Sequence, residues 1–205
     1  MEFQTTKQML INITDEESLK SNLSFAAFYI ALFENFADTV VDKIRGFLSD
    51  GIHFNENGEI TYIESERYKS EIVNRKDNES NKLGVLKSSM LWFVDNAAIT
   101  MSEYEQFIEI RDQRNRFVHE LTSFLLNGFN EPEIKMFFEL LRIYKKIDKW
   151  WINEIEIPTS ADDIPQDYDP NSVGSVISGM FDIMVDVIFR GKSEEHKELL
   201  RKYFD

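Results

Sequence analysis

The residues best suited to chemistry lie in one segment, 102-SEYEQFIEIRDQRNRFVHELTSFLLN-127. At about 100° per residue, the advance of an α-helix, Phe107, Ile110, Phe117, Val118, Leu121, Phe124 and Leu125 share one apolar sector. Arg114 falls in the middle of it. A guanidinium is costly to desolvate, so an arginine at such a position is expected to carry a partner. Arg111, Asn115 and His119 follow at four-residue steps and stack along one edge of the same sector. The combination suits acid–base work on a phosphoryl group. Histidine is the side chain for proton transfer near neutral pH, and an arginine fork stabilises charge developing on phosphate oxygens. Taken singly, each residue has a plainer reading. A mid-bundle arginine is often just the partner of a facing carboxylate, and a histidine at a sector edge is more often packed than catalytic. Glu34, bordering the apolar stripe of the first long helix, is the carboxylate expected to hold Arg114.

The elements that must position these residues are helical. Thr14 with Glu17 has capping-box spacing. Behind it, Leu19, Leu23, Ala26, Ile30, Phe33, Ala37, Val40, Val41, Ile44 and Phe47 recur at three- and four-residue steps, which predicts one long helix ending before Gly51. Residues 51–81 are polar and carry a turn signal at Asn57-Gly58, so they read as an insertion holding a small hairpin or a short helix. Helical spacing resumes over 83–99. Ser102 with Glu105 gives a second capping box, opening a helix that runs through Asn127 and stops at Gly128. Asn130 caps a further helix with Pro132 in its first turn, carried by Ile134, Phe137, Phe138, Leu141, Tyr144, Ile147 and Trp151. Residues 158–172 read as a loop, and helices over about 173–190 and 193–203 close the chain. The expected fold is all-α. It is a single domain over 1–205, with a core bundle at 14–155, the polar insertion at about 51–81, and an acidic loop with additional C-terminal helices at 156–205.

Bulk properties narrow the function. At 205 residues the chain is long enough to bury a proper core. It has no cysteine, which excludes disulfides and thiolate metal sites. The start, MEFQTTKQML, lacks the basic and apolar blocks of a secretory signal. The apolar stretch 172–189 carries Asp182 and Asp186 and is too short and too charged to span a bilayer. The expectation is a soluble, cytoplasmic protein with no membrane partner. A net charge of −14 argues against a general nucleic-acid coat, yet leaves room for a local basic cleft. Arg111, Arg114 and Arg116 form one basic group, and Arg142, Lys145, Lys146 and Lys149 a second. From Trp150 to Phe189 there are eight acidic residues and no Lys or Arg. Two readings of that stretch stay open: a solvated acidic surface, or a segment whose Asp162, Asp163, Asp167 and Asp169 compete with RNA for the basic cluster. His53 and His196 have no partners at metal-ligand spacing, and Gly174 with Gly179 lacks the strand and lysine of a phosphate loop.

The run Arg114-Asn115-Arg116-Phe117-Val118-His119 resembles the signature of the HEPN family: an Arg, a polar residue that is often Asn, three variable residues and a His, late in a helix of an all-α bundle. The likeness covers about residues 14–155. It implies a homodimer whose two motifs face each other and form one RNA-cleaving site. It also implies a toxin or antiviral defence effector, with RNA as substrate and an antitoxin or regulatory protein as further partner. On this resemblance His119 acts as general base or acid on the ribose 2′-hydroxyl. Arg114 holds the scissile phosphate, and Asn115 orients one or the other. The substrate supplies its own nucleophile, so no metal and no cofactor is expected, and DNA is not cleaved. Arg111 and Arg116 lie outside the signature and read as RNA-positioning residues. The alternative is a catalytically silent HEPN module binding RNA, nucleotide or a protein partner. The acidic balance favours it, while the intact Arg, Asn and His favour the enzyme.

Overall fold

The computed structural model describes residues 2–160, 164 and 168–197. It is an all-α protein in which one small hairpin interrupts the helices. The chain divides into two compact units, Met1–Leu140 and Leu141–Asp205, so the expected 14–155 core crosses the division.

The first unit opens with α1 (Glu2–Thr14), which has no counterpart in the sequence reading. Its several Thr and Ile residues are weak helix formers, and no capping motif announces it. Thr14 closes α1, its hydroxyl donating to the Leu10 carbonyl at 2.6 Å. Asp15 then caps α2 (Glu16–Leu48) by accepting from Ser18 N at 2.8 Å. The expected Thr14/Glu17 box is corrected to an Asp15 cap, because a hydroxyl bonded back into one helix does not serve the next. By length and composition α2 is long and apolar enough to cross a bilayer. Its apolar stripe, however, is buried in the protein from Phe25 through Tyr29, Phe36 and Ile44 to Leu48.

The expected insertion holds both a hairpin and a helix. Strand β1 (Gly51–Phe54) pairs antiparallel with β2 (Ile60–Ile63). Asn55 Oδ1 accepts from the backbone of Asn57 and Glu59, each at 2.9 Å, and Gly58 turns the chain at φ 78°. A short α3 (Glu66–Tyr68) runs on into a π-helical turn over 69–73. Tyr68 and Ile72 are buried. Arg45 Nε donates to the Tyr68 hydroxyl at 3.4 Å, and Trp92 Nε1 to Glu71 at 2.9 Å. The segment is fastened into the unit rather than appended to it.

Helix α4 (Val85–Asp95) stops short of the expected residue 99, where Ala97 takes a positive φ of 58°. Helix α5 (Met101–His119) opens with a capping box two residues before the expected one. Thr100 Oγ1 accepts from Glu103 N at 3.2 Å, and the buried Glu103 carboxylate accepts from Thr100 N at 2.8 Å. The expected continuous helix to Asn127 breaks at Glu120 into a separate α6 (Leu121–Asn127). This last piece packs against α1, where Asn12 Nδ2 donates to the Leu126 carbonyl at 2.7 Å. Helix α7 (Glu131–Trp151) begins as the sequence indicates, with Asn130 and Glu133 capping each other at 2.9 and 3.0 Å.

Aromatic rings fill the centre of this unit. Tyr29 meets Phe117 edge-on at 4.7 Å, Phe25 meets Phe129 at 4.6 Å, and Phe117 meets Phe124 at 4.6 Å. Such contacts add roughly 0.5–1.5 kcal/mol each beyond the area they bury. They fix α5 against α2 and set which α5 positions face inward.

In the second unit α7 continues from Leu141 into a π-helical turn over 152–156 and α8 (Ile157–Thr159). The expected loop therefore starts after, not at, Pro158. Asp162, Asp163 and Asp167, and the end of the helix expected over 193–203, lie outside the described residues. Helix α9 (Val176–Arg190) is capped by Ser175, and residues 193–197 are helical.

The Thr100 cap is testable. Thr100→Ala should destabilise the protein by about 1 kcal/mol in urea unfolding, with an unchanged denaturant slope. Ser102→Ala, in the exposed first turn, should leave the midpoint where it is; the reverse ranking would restore the Ser102 cap.

Candidate functional site

Position 114 belongs to the inward stripe of α5, between the buried Ile110 and Phe117. Its guanidinium extends to the edge of that stripe, where two consecutive residues of α2 receive it. Glu34 Oε1 accepts from one terminal nitrogen of Arg114. The ring of Phe33 lies under the guanidinium, 5.6 Å from its centroid to Cζ. Phe33 is itself stacked on Phe107 at 6.1 Å. The other terminal nitrogen donates to Asn115 Oδ1 at 3.1 Å. Arg114 is thus fixed on three sides, with its side chain 26% exposed. Its Nε is buried and makes no hydrogen bond to another described group.

Asn115 and His119 are exposed, one helical turn apart. Asn115 uses its oxygen on Arg114, which leaves amide N–H donors for a further acceptor. His119 is the last residue of α5, and Glu120 N donates to the Arg116 carbonyl at 2.7 Å as the helix closes. The structure therefore brings Glu34, Arg114 and Asn115 into one hydrogen-bonded chain and places His119 one turn beyond it.

The other expected contributors divide. Arg111 is engaged with its neighbour Asp112 at 2.8 Å. Arg116 donates to Gln113 at 3.1 Å, lies 5.6 Å from the Phe124 ring centroid, and pairs loosely with Glu120 at 3.8 Å. Both belong to short-range surface networks rather than to the Arg114 group. Val118, expected in the apolar sector, is 46% exposed. Three contributors escaped the sequence reading. Phe33 is the platform for Arg114, signalled only by its place beside Glu34. Gln113 and Glu133 are both buried, Gln113 donating to Glu133 at 3.4 Å and accepting from a terminal nitrogen of Arg116 at 3.1 Å. Burial, with the Glu133 carboxylate as a second cause, raises the Tyr29 hydroxyl well above its ordinary value.

No family model, curated protein or solved structure matches the chain.

The ion pair and the ring make different contributions. Glu34 is 47% exposed, so Glu34→Gln should cost less than about 1 kcal/mol in urea unfolding. Phe33 is 4% exposed, so Phe33→Ala should cost about 3–5 kcal/mol. A Glu34→Gln loss as large as that of Phe33→Ala would mean the carboxylate carries the packing.

Proposed function

We propose that the chain is a metal-independent endoribonuclease of the HEPN type, acting as a toxin or antiviral defence effector. The observation that carries the reading is the coupling of Arg114, held by Glu34, to Asn115, with His119 exposed one turn away. A guanidinium fixed in this way can meet a phosphate without first losing rotamer freedom. In the proposed reaction His119 removes the proton from a ribose 2′-hydroxyl, and the 2′-oxygen attacks the adjacent phosphorus. The bond to the 5′-oxygen breaks, and that oxygen leaves with the proton, which the His119 imidazolium returns to it. The products are a 2′,3′-cyclic phosphate and a 5′-hydroxyl end. Arg114 and Asn115 neutralise and orient the non-bridging oxygens as charge builds there.

Asn115 and His119 stand on an exposed helix edge, and a second copy meeting the first through the same patch would enclose them. The proposed active form is a homodimer in the cytoplasm, restrained by an antitoxin or regulatory protein. A silent RNA- or protein-binding module is the second reading. It is favoured by Glu34, which already neutralises much of the Arg114 charge.

Purified protein should cut single-stranded RNA in the presence of EDTA, leave cyclic phosphate ends, and spare DNA of the same sequence. Arg114→Ala and His119→Ala should each reduce cleavage by at least about a hundredfold, the scale of a lost general acid–base or oxyanion group, with unchanged circular dichroism. RNA binding without cleavage by the wild type would select the silent module. Undiminished cleavage by either variant, or full activity of a species that light scattering shows to be monomeric, would remove the assignment.

A further inference from the structure

The hairpin of the first unit is a ribbon of two strands, and among the described residues no third strand joins it. Such a ribbon is marginal on its own in water, and this one is rooted at its base. The Tyr62 ring packs on Gly46 of α2, 3.6 Å from where a Cβ would stand. Asp50 N donates to the Ile63 carbonyl at 3.0 Å, and the Ser65 hydroxyl to the Leu48 carbonyl. Beyond that base the ribbon keeps an apolar face. Ile52 stands across from Tyr62 and Phe54 across from Ile60, so alternation puts all four on one side. Ile52, Phe54 and Ile60 are each more than half exposed. Contiguous apolar residues left in water mark interaction surfaces.

One edge of the ribbon is open as well. Asn55 N donates to the Glu59 carbonyl at 3.0 Å, and in an antiparallel ladder bonded and non-bonded pairs alternate from there. Ile60 and Tyr62 fall at non-bonded positions, with their own N–H and C=O groups directed away from β1. Beside that edge lies a cleft of about 490 Å3, lined by Asp42 and Arg45 of α2 and by Ile60, Thr61, Tyr62 and Glu64. Three consecutive residues of β2 line it although their side chains alternate between the faces, so the cleft runs along the strand's edge. Arg45 is engaged with the Tyr68 hydroxyl, and Glu66 with Lys69 at 2.8 Å. From Asp42 to Glu66 the chain carries six acids against Lys43 and Arg45.

We infer that the hairpin docks an extended basic segment of a partner protein, which adds a third strand along β2 in this cleft. The backbone groups of Ile60 and Tyr62 supply the ladder. Every second side chain of the incoming strand lies beside Ile60 on the apolar face, and the acids around the cleft draw its Lys and Arg residues. The same acids disfavour the other occupants. A second copy would bring its own six acids to the seam, where like charges set opposite each other are destabilising. A nucleic acid would meet net negative charge where phosphate binding needs cations. The inference does not depend on Arg114, Asn115 or His119.

The test is isothermal titration of the full chain, at low salt, with a short capped peptide of alternating valine and lysine. The expected result is saturable binding at one site per chain that weakens as salt rises. Phe54→Thr with Ile60→Thr keeps strand-forming residues at exposed positions and should weaken binding by roughly tenfold or more. Asp42→Asn with Glu64→Gln should do the same, through the loss of two charge-assisted contacts. Glu16→Gln with Glu17→Gln makes an equal charge change roughly 40 Å away along α2 and should stay within about twofold of wild type. The peptide N-methylated at every residue has no amide to donate to β2 and should also bind roughly tenfold or more weakly. No saturable binding, equal losses in the two acid variants, or full binding of the N-methylated peptide would overturn the inference. So would a wild-type dimer in sedimentation that Phe54→Thr/Ile60→Thr dissociates, because the face would then belong to a second copy. Absence of RNA cleavage would leave this titration unaffected, which separates the two readings.

Discussion

The first unit is organised around one accommodation: a permanent cation at a core position of α5. Leaving Arg114 in the stripe between Ile110 and Phe117 would be untenable if α2 met it with aliphatic carbon alone. α2 instead presents a ring and a carboxylate in succession, Phe33 and Glu34. The aromatic contacts of Tyr29, Phe25 and Phe117 set the register in which those two residues arrive. The pair adds little to stability by itself, since both side chains keep some contact with water. Its effect is orientational. It fixes one guanidinium, and through that guanidinium the Asn115 amide.

What could be read from the chain follows from how local the physics is. Apolar periodicity located α2, α5 and α7 because burial of a stripe is repeated along many residues. The Asn130 cap and the Gly128 stop were legible for the same reason: each depends on a few neighbours. Where two local solutions compete, the sequence was ambiguous. Thr100 with Glu103 and Ser102 with Glu105 have identical spacing, and the first forms because Glu103 is buried and satisfied by Thr100. Thr14 lost the cap of α2 to Asp15 because a helix precedes it, and α1 carries no strong signal of its own.

The candidate site was partly legible. The residue types and spacing of Arg114, Asn115 and His119 are sequence facts, and the stripe of α2 made Glu34 the natural carboxylate. The platform role of Phe33 and the buried Gln113–Glu133 contact depend on side chains distant in sequence, which periodicity does not rank.

The break after His119 has a consequence for how the site holds together in time. A continuous helix would have held the position on its own ladder of hydrogen bonds. Here the segment beyond His119 is a short helix, too short to persist alone, moored to the opening helix of the chain by Asn12 and Leu126. Elements with few buried apolar contacts open most readily in native proteins, and no described residue of α1 is buried. The backbone beneath His119 is therefore coupled to the opening and closing of α1, some hundred residues away in sequence, and the candidate histidine inherits the lifetime of that contact.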